Sequence, residues 1–328
     1  MANCESDASA KGALQRNACA ACGAAPARLA CPTCKANSVA CMVLGSLSAT
    51  SFSFCDKACF KSQWQVHKHA PLHLGLKFRV VCVENRGKGC IACLPIRKGE
   101  VVLEEKPVLI VDDDASLQAL DRLVERMSEA SKKRFWELAD AHASPGKKKT
   151  AAGVVRTNAY PVGGGKGGMF PLFARFNHSC TPNVTHSFRD GVRRVHAARD
   201  IAAGEELFNS YIDCAQPRAA RQAVLQSQFQ FACDCDACVS QSEESDTRRS
   251  RIRDLDDLVV ALVRGDKYRE AVERVQERMR LLEKEGIDSP AMMVRVAHDA
   301  VQACEYAGDR DGVAHWTDIV ESYAMHIQ

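Results

Sequence analysis

The sequence lacks any apolar run close to the roughly 20 consecutive residues that a membrane-spanning helix needs. It also lacks a dominant charge. The 44 Lys and Arg residues against 41 Asp and Glu residues give +3, without the strongly basic field that binds nucleic-acid phosphates. Residues 1–18 contain no basic-then-apolar secretion signal. We therefore expect a protein of the cytoplasm or the nucleus, with no membrane association and no direct nucleic-acid partner.

Cysteine, by contrast, is abundant, with 17 residues in a chain of 328. In a reducing compartment, CxxC pairs with histidines nearby are typical of metal ligands rather than of disulfides. With 46% hydrophobic residues, a chain of this length can form two or three packed units. The predicted regions are a disordered leader at 1–18, a Cys/His block at 19–73, a mixed α/β region at 77–213, a second cysteine region at 214–240 and a helical bundle at 248–328.

The mixed region is expected to contain short antiparallel strands. The side chains of residues 78–83 follow the alternating pattern that is typical of a β-strand, and residues 100–103 form a second candidate strand. Turns that contain glycine lie at 87–89 and 98–99. Apolar residues at helical spacing predict a helical insert at about 115–142.

The C-terminal region is expected to form antiparallel helix pairs. Gly265 and Gly286 interrupt its apolar stripes. Ser289-Pro290 is a helix-start signal and Gly308 a stop signal, which predicts two final helices at about 290–307 and 311–326. We interpret this region as a small helical-repeat bundle whose residues serve packing.

The Cys/His block offers eight ligands for two tetrahedral zinc sites. Three cysteine pairs are followed by three histidines: Cys19 and Cys22, Cys31 and Cys34, Cys55 and Cys59, and then His67, His69 and His73. Zinc held by four thiolate or imidazole ligands is structural, so we expect these ions to stabilise a docking module or a brace and to perform no chemistry.

This block resembles the MYND finger, particularly the variant of type 1 methionine aminopeptidases. The resemblance is carried by Cys31-Pro32-Thr33-Cys34 and Phe54-Cys55-x3-Cys59-Phe60-Lys61-x2-Trp64-x2-His67-Lys68. It implies one zinc on Cys19, Cys22, Cys55 and Cys59, and a second on Cys31, Cys34 and two histidines. Pro71 stands where the family has its last ligand, so His73 is expected to replace it, paired with His67 or His69. Cys41, in a long insert, is interpreted as a bystander thiol. The remaining sequence lacks the carboxylate and histidine cluster of an aminopeptidase, which excludes that activity.

Four further segments have to be interpreted together. They are Asn85-Arg86-Gly87-Lys88-Gly89, Arg175-Phe176-Asn177-His178-Ser179-Cys180-x-Pro182-Asn183, Gly204-Glu205-Glu206-Leu207-x3-Tyr211-x-Asp213 and Cys233-x-Cys235-x2-Cys238. Each alone has an ordinary structural explanation, such as a tight turn or a hydrogen-bonded core pair. Together they resemble the SET domain, and with the finger and the helical tail the chain from about residue 19 onward resembles the SET and MYND domain lysine methyltransferases.

The resemblance implies an α+β fold, in which the SET domain has short antiparallel strands, a pseudoknot and a helical insert, between an N-terminal double-zinc finger and a C-terminal helical bundle. It implies transfer of methyl groups from S-adenosylmethionine to lysine amines of histone or non-histone proteins. The residues implied to bind the cofactor are Arg86, Gly87, Lys88, Gly89, Asn158, Asn177, His178, Tyr211 and Phe231. Arg86 and Lys88 would flank its carboxylate, and Phe231 would stack on its adenine ring.

Tyr211 is the residue expected to be catalytic. Methyl transfer is an in-line displacement that needs a neutral amine and a dry approach, and the tyrosine hydroxyl would align the reacting groups. Tyr160 and Phe229 are implied to line the lysine channel. Because many relatives carry tyrosine where Phe229 stands, the number of methyl groups added stays open.

A third zinc is expected on Cys180, Cys233, Cys235 and Cys238, since the CxCxxC triplet leaves one tetrahedral position empty. The chain is expected to be a monomer that binds protein substrates and protein partners. The main alternative is a non-catalytic scaffold with the same fold. It is disfavoured because Tyr211, His178 and the GxG glycines are all present, although motifs alone do not prove turnover. A nucleic-acid-binding zinc protein is disfavoured by the near-neutral charge.

Overall fold

The computed structural model describes residues 29–30, 53–54, 61, 77–143 and 146–325. Two short strands, β1 (Leu29–Ala30) and β2 (Ser53–Phe54), pair in antiparallel orientation. The leader and the predicted ligands of the finger lie outside the described residues: Cys19, Cys22, Cys31, Cys34, Cys55, Cys59, His67, His69 and His73. The two finger zinc sites therefore stay predictions.

The described chain is mixed α and β. The further strands are β3 (Phe78–Val83), β4 (Gly87–Ala92), β5 (Val101–Glu105), β6 (Leu109–Asp112), β7 (Ala159–Pro161), β8 (Lys166–Met169), β9 (Asn177–His178), β10 (Val184–Arg189), β11 (Val192–Ala197) and β12 (Glu206–Asn209). The helices are α1 (Leu117–Glu125), α2 (Glu129–Trp136), α3 (Ala151–Asn158), α4 (Arg218–Phe229), α5 (Asp236–Val239), α6 (Glu243–Arg264), α7 (Tyr268–Lys284), α8 (Pro290–Ala307) and α9 (Arg310–Ala324), with a 3-10 turn at Phe173–Arg175. None of the described helices is long and apolar enough to cross a membrane.

The chain divides into two compact units, and the described part of the first comprises residues 29–30, 53–54, 61, 77–97 and 200–206. Its core is the antiparallel β3–β4 hairpin, in which Val83 pairs with Gly87. The hairpin turn uses positive φ at Asn85 (59°) and Gly87 (72°), a region that glycine adopts without steric cost and asparagine tolerates. The amide of Ala92 donates to the carbonyl of Glu205 at 2.8 Å, so residues from two distant parts of the sequence complete this unit.

The second unit contains two three-stranded antiparallel sheets, in the orders β10-β11-β5 and β6-β8-β7. The expected antiparallel pairing is confirmed in these sheets and in the β3–β4 hairpin, and the structure adds a parallel pair that was not predicted, β9 with β12, in which Asn209 lies opposite His178. A parallel pair needs a long crossover connection, and more than twenty residues separate these strands in sequence. No local turn signal could have predicted that pairing.

The predicted helical insert forms the two helices α1 and α2, because a serine cap starts each of them. The hydroxyl of Ser116 accepts a hydrogen bond from the amide of Ala119, and the hydroxyl of Ser128 accepts one from the amide of Ser131. The helices bury apolar residues, including Leu120 and Phe135, in a core shared with α3.

The tail is a bundle of four long helices, α6 to α9, in which α8 has its predicted bounds and α9 begins and ends within two residues of its predicted bounds. Ser289 caps α8 through the amide of Met292, and Gly308 ends α8 with a φ of 68°. The predicted apolar stripes are buried, with Leu255, Val275 and Leu282 at 0% exposure. Buried residues of this bundle and of the second cysteine region form one core, which places the site beside the tail.

Candidate active site and metal centre

Four aromatic side chains from distant parts of the sequence meet in the second unit. His178 lies on β9, Tyr211 follows β12, Phe229 ends α4 and Phe231 follows that helix. The ring of Tyr211 lies 5.4 Å from that of His178, 5.0 Å from that of Phe229 and 6.4 Å from that of Phe231, measured between centroids. The structure therefore brings together four of the residues that the sequence motifs predicted.

Tyr211 is held at both ends. Its hydroxyl donates to the carbonyl oxygen of Phe176 at 2.9 Å, and its backbone amide donates to Nδ1 of His178 at 3.1 Å. Since the hydroxyl proton is committed to a carbonyl, any further hydrogen bond at this oxygen has to be one that the oxygen accepts. The ring is half-buried, so its position is fixed without being sealed in the core.

The contacts of His178 assign its tautomer. Nδ1 accepts from the Tyr211 amide, so the proton of the neutral ring belongs on Nε2, which lies 3.4 Å from the sulfur of Cys180. Burial lowers the pKa of His178 to about 4, which keeps the ring neutral at neutral pH. His178 thus joins the backbone of Tyr211 to a predicted metal ligand.

Tyr160, on β7, lies in a second aromatic group. Its hydroxyl accepts from Nδ2 of Asn209 at 3.2 Å, and its ring lies 4.6 Å from that of Phe173. The guanidinium of Arg193 sits over the Tyr160 ring at 5.3 Å. Burial raises the pKa of Tyr160 to about 12, so the phenol stays protonated.

The two predicted asparagines have structural contacts. Nδ2 of Asn158 donates to the carbonyls of Ala139 and Val154, each at 2.7 Å, so the amide protons of this side chain bind the protein itself. Asn177 lies in the parallel β9–β12 pair opposite Phe208. Cofactor binding by either residue stays a prediction.

The GxG segment belongs to the first unit. Among the described residues, no atom lies within 4 Å of the position that a Cβ of Gly87 would take, so none of them covers this face of the turn. Gly89 is buried and Lys88 exposed. The guanidinium of Arg86 lies 3.5 Å from the carboxylate of Glu206. Carboxylate binding by Arg86 and Lys88 stays a prediction.

The predicted third metal site has a ligand set that fits zinc. The sulfurs of Cys180, Cys233, Cys235 and Cys238 all lie within 4.8 Å of one another, and those of Cys180 and Cys238 are 3.6 Å apart. A zinc–sulfur bond of about 2.3 Å implies about 3.8 Å between sulfurs in a tetrahedron. Four cysteines at this spacing form a closed site of the structural type.

Helix α4 fixes the backbone of the cysteine triplet. The side-chain amide of Gln222 donates to the carbonyl of Cys233 at 2.7 Å, while its oxygen accepts from the amide of Cys233 at 2.9 Å. The reciprocal pair holds the first cysteine of the triplet against the helix.

Sequence reasoning missed two residues beside the cysteines. Arg221, on α4, is fully buried and directs Nε to the sulfur of Cys180 at 3.2 Å. Cys214 is buried and its sulfur lies 3.0 Å from the hydroxyl of Ser210. The sequence offers one signal for the burial of Arg221. It lies four residues before the buried Leu225, so both side chains lie on the same face of α4.

Comparison with known proteins identifies the region that carries these residues. The family model described as the SET domain matches residues 87–212. The histone-lysine N-methyltransferase set5 of Schizosaccharomyces pombe is 33% identical over 181 residues, covering 53% of this chain and 56% of that protein. The N-lysine methyltransferase SMYD2-B of Xenopus laevis is 30% identical over 178 residues, covering 48% of this chain and 41% of that protein.

The matched part spans about half the length of these curated relatives. The solved structure of Rubisco LSMT bound to sinefungin and monomethyllysine matches 48% of this chain and 52% of that one, at 16% identity and a TM-score of only 0.36. Residues 87–212 of this chain are thus a SET domain, homologous to that of named lysine methyltransferases.

Proposed function

We propose that this protein is a lysine methyltransferase that transfers methyl groups from S-adenosylmethionine to lysine side chains of other proteins. The observation that carries the proposal is the convergence of His178, Tyr211, Phe229 and Phe231 beside the four-cysteine cluster. Segments that are up to about fifty residues apart in sequence supply these side chains. The similarity to lysine methyltransferases supports the same reaction.

Tyr211 is proposed to orient the reacting groups. When bound, the cofactor supplies an electrophilic methyl group on a sulfonium. The hydroxyl of Tyr211 donates its proton to Phe176, so its oxygen would act on a polarised methyl as the acceptor of weak C–H···O contacts. Fixing the tyrosine through its hydroxyl and its amide aligns a bimolecular displacement, which removes an entropic part of its barrier.

Tyr160 and Phe229 are proposed to line the channel of the target lysine. Tyr160 stays a neutral phenol, and Asn209 holds its hydroxyl. Phe229 packs against Tyr211 and presents only carbon atoms. Aromatic walls exclude water from the approach, while the target amine has to lose its proton to solvent or a nearby group before transfer.

The residues present also suit the cofactor. Phe231 is a half-buried ring 6.1 Å from that of His178, and it offers an aromatic face for an adenine. With no described residue over the face of Gly87, a ligand can approach the backbone closely at this turn. Asn177, with Arg86 and Lys88, is proposed to complete the binding groups.

Zinc on Cys180, Cys233, Cys235 and Cys238 is proposed to be structural. A closed site with four thiolates leaves no position for substrate. Its ligands join the end of β9 to the segment that carries Phe231, so the ion stabilises the aromatic cluster without touching the substrate. The finger and the tail are proposed to dock protein partners, in the cytoplasm or the nucleus.

The proposal is tested by incubating the purified protein with methyl-labelled cofactor and a cell lysate. We expect label on lysines of lysate proteins, and a loss of about 100-fold in Tyr211→Phe, comparable to the removal of one group that stabilises a transition state. Tyr306→Phe is the matched control, because Tyr306 is exposed on α8.

Cofactor binding to the same proteins separates the two proposed steps. Binding without label in the wild type would contradict lysine methylation by this site. Absence of both binding and label would favour a scaffold that keeps the fold.

A further inference from the structure

We propose that Arg221 is the built-in counter-charge of the four-cysteine zinc site, and that it slows loss of the metal. The inference rests on the metal site proposed above and does not require methyl transfer.

The first argument is the burial of Arg221. Its exposure is 0%, and it is the largest fully buried side chain of the described protein together with Arg249. A buried charge is costly unless an anion or several hydrogen bonds compensate it. Among the described residues, no carboxylate forms an ion pair with Arg221, whereas Arg249 pairs with Glu285.

The second argument is the direction of the guanidinium. Nε points to the sulfur of Cys180 at 3.2 Å, and a terminal nitrogen lies 3.8 Å from the sulfur of Cys238. Two neutral thiols would leave the cation without an anion. Thiolates bound to a metal ion supply one, so the contacts of Arg221 fit the metal-bound state of the cluster.

The third argument is the charge of the site. One Zn²⁺ with four thiolates carries two net negative charges, and one adjacent guanidinium reduces the local total to one. The other terminal nitrogen of Arg221 donates to the carbonyl of Gln216 at 2.5 Å, and this hydrogen bond fixes the plane of the guanidinium group. The segment from α4 to the cysteine triplet thus contains three of the four ligands together with their counter-ion.

The sulfur of Cys180 has a second hydrogen-bond donor, His178. The Nε2 proton of His178 faces the same sulfur at 3.4 Å, on which Arg221 also acts. Two N–H donors lower the electron density of a thiolate and make it a poorer nucleophile. Cys235 is the most exposed of the four ligands, so attack from solvent is expected to begin there.

The test follows metal protection cysteine by cysteine in the full-length protein. Wild type, Arg221→Met and Arg221→Lys are incubated with excess EDTA and N-ethylmaleimide, and peptide mass spectrometry measures alkylation of Cys233, Cys235 and Cys238. We expect at least about tenfold faster alkylation in Arg221→Met, the scale at which groups that contact metal ligands alter zinc retention. Arg221→Lys keeps the charge and should lie within about threefold of the wild type.

Arg278→Met is the matched control for loss of a buried arginine. Arg278 is 3% exposed on α7, where it pairs with Asp256 and Asp299. This variant should be alkylated at these three cysteines as slowly as the wild type.

The results distinguish the existence of the metal site from the role of Arg221 beside it. Immediate alkylation of the wild type without EDTA would overturn the metal site and this inference with it. A protected wild type with an equally protected Arg221→Met would overturn the role of Arg221 and leave the metal site intact. Should Arg221→Met fail to fold, Arg221→Lys decides, because rapid alkylation of this variant contradicts a role of charge.

Discussion

At the scale of single residues, the surroundings of Tyr160 show how a charged side chain is accommodated inside the protein. Arg193 is 2% exposed and lies over four aromatic rings, with the centroid of Phe170 nearest at 4.6 Å. It also lies 2.7 Å from Nδ1 of His186. An arginine can only donate, so His186 accepts through an unprotonated nitrogen.

This contact gives the fold a defined pH dependence. Burial, followed by the charge of Arg193, lowers the pKa of His186 to about 3 from an ordinary value near 6.5. Between these values the unfolded chain binds a proton that the folded chain does not, so stability falls as the pH falls below about 6.5. From pH 7.5 to pH 5.0 we expect this histidine to remove up to about 2 kcal/mol.

The measurement is urea unfolding at both pH values for the wild type and His186→Asn, which keeps an acceptor for Arg193. The variant should lose less stability on acidification. His315→Asn, exposed on α9, should behave as the wild type does. An equal pH response in His186→Asn and the wild type would contradict the assignment of a neutral His186.

The sequence predicted the site residues better than it predicted their surroundings. Tyr211, His178 and Cys180 stand in motifs whose order is specific to one fold. Arg221 and Arg249 carry no such signal, because arginine in an amphipathic helix is ordinarily exposed. Their burial follows from partners that only the tertiary structure supplies: cysteine sulfurs for Arg221, and Glu285 for Arg249.

At the scale of elements, local signals predicted the ends of helices and missed the pairing of distant strands. Ser289 and Gly308 bound α8 through hydrogen bonds within a few residues, which a sequence pattern can encode. The β9–β12 pair depends on the path of the intervening chain.

The tail helices are linked to the active-site segment by a buried ion pair. Arg249 on α6 donates to the carbonyl of Cys214, three residues beyond Tyr211, and to Glu285 at 2.9 Å. Glu285 also accepts from Ser245 and Arg248, each at 2.5 Å. Burial by itself would raise the pKa of Glu285, but these donors hold it below its ordinary value.

Glu285→Gln tests this link. The change leaves Arg249 buried without its anion, so we expect a loss of about 3 kcal/mol in the free energy of unfolding. Methyl transfer should fall as well, since the segment of Tyr211 loses part of its support. Urea unfolding and the labelled-cofactor assay measure both. Glu283→Gln, two residues earlier and exposed, is the control, and a loss of equal size there would contradict a special role of Glu285.

At the scale of the whole molecule, the metal site should decide whether the second unit holds its aromatic cluster together. Cys235→Ser removes one of four ligands. We expect zinc per chain to fall by one ion relative to the wild type, whatever the finger binds, and methyl transfer to fall at least about tenfold.

Metal analysis and the labelled-cofactor assay on the same preparation check this outcome. Cys82→Ser alters an exposed cysteine of β3, and this variant should keep the zinc content and the rate of methyl transfer of the wild type. Unchanged zinc content in Cys235→Ser would show that the four sulfurs do not bind the ion.

The first unit has a consequence for synthesis on the ribosome. Its hairpin is complete in sequence by residue 92, but the segment that binds Ala92 arrives with Gly204 and Glu205, about a hundred residues later. At the 5–20 residues per second at which ribosomes add amino acids, the nascent hairpin waits roughly 5–20 s for this partner. During that interval the amide and carbonyl of Ala92 lack their partners Glu205 and Gly204, and an unpaired strand edge is prone to associate with other chains. The slower the elongation between residues 92 and 204, the longer this edge is exposed to association before its closing segment leaves the ribosome.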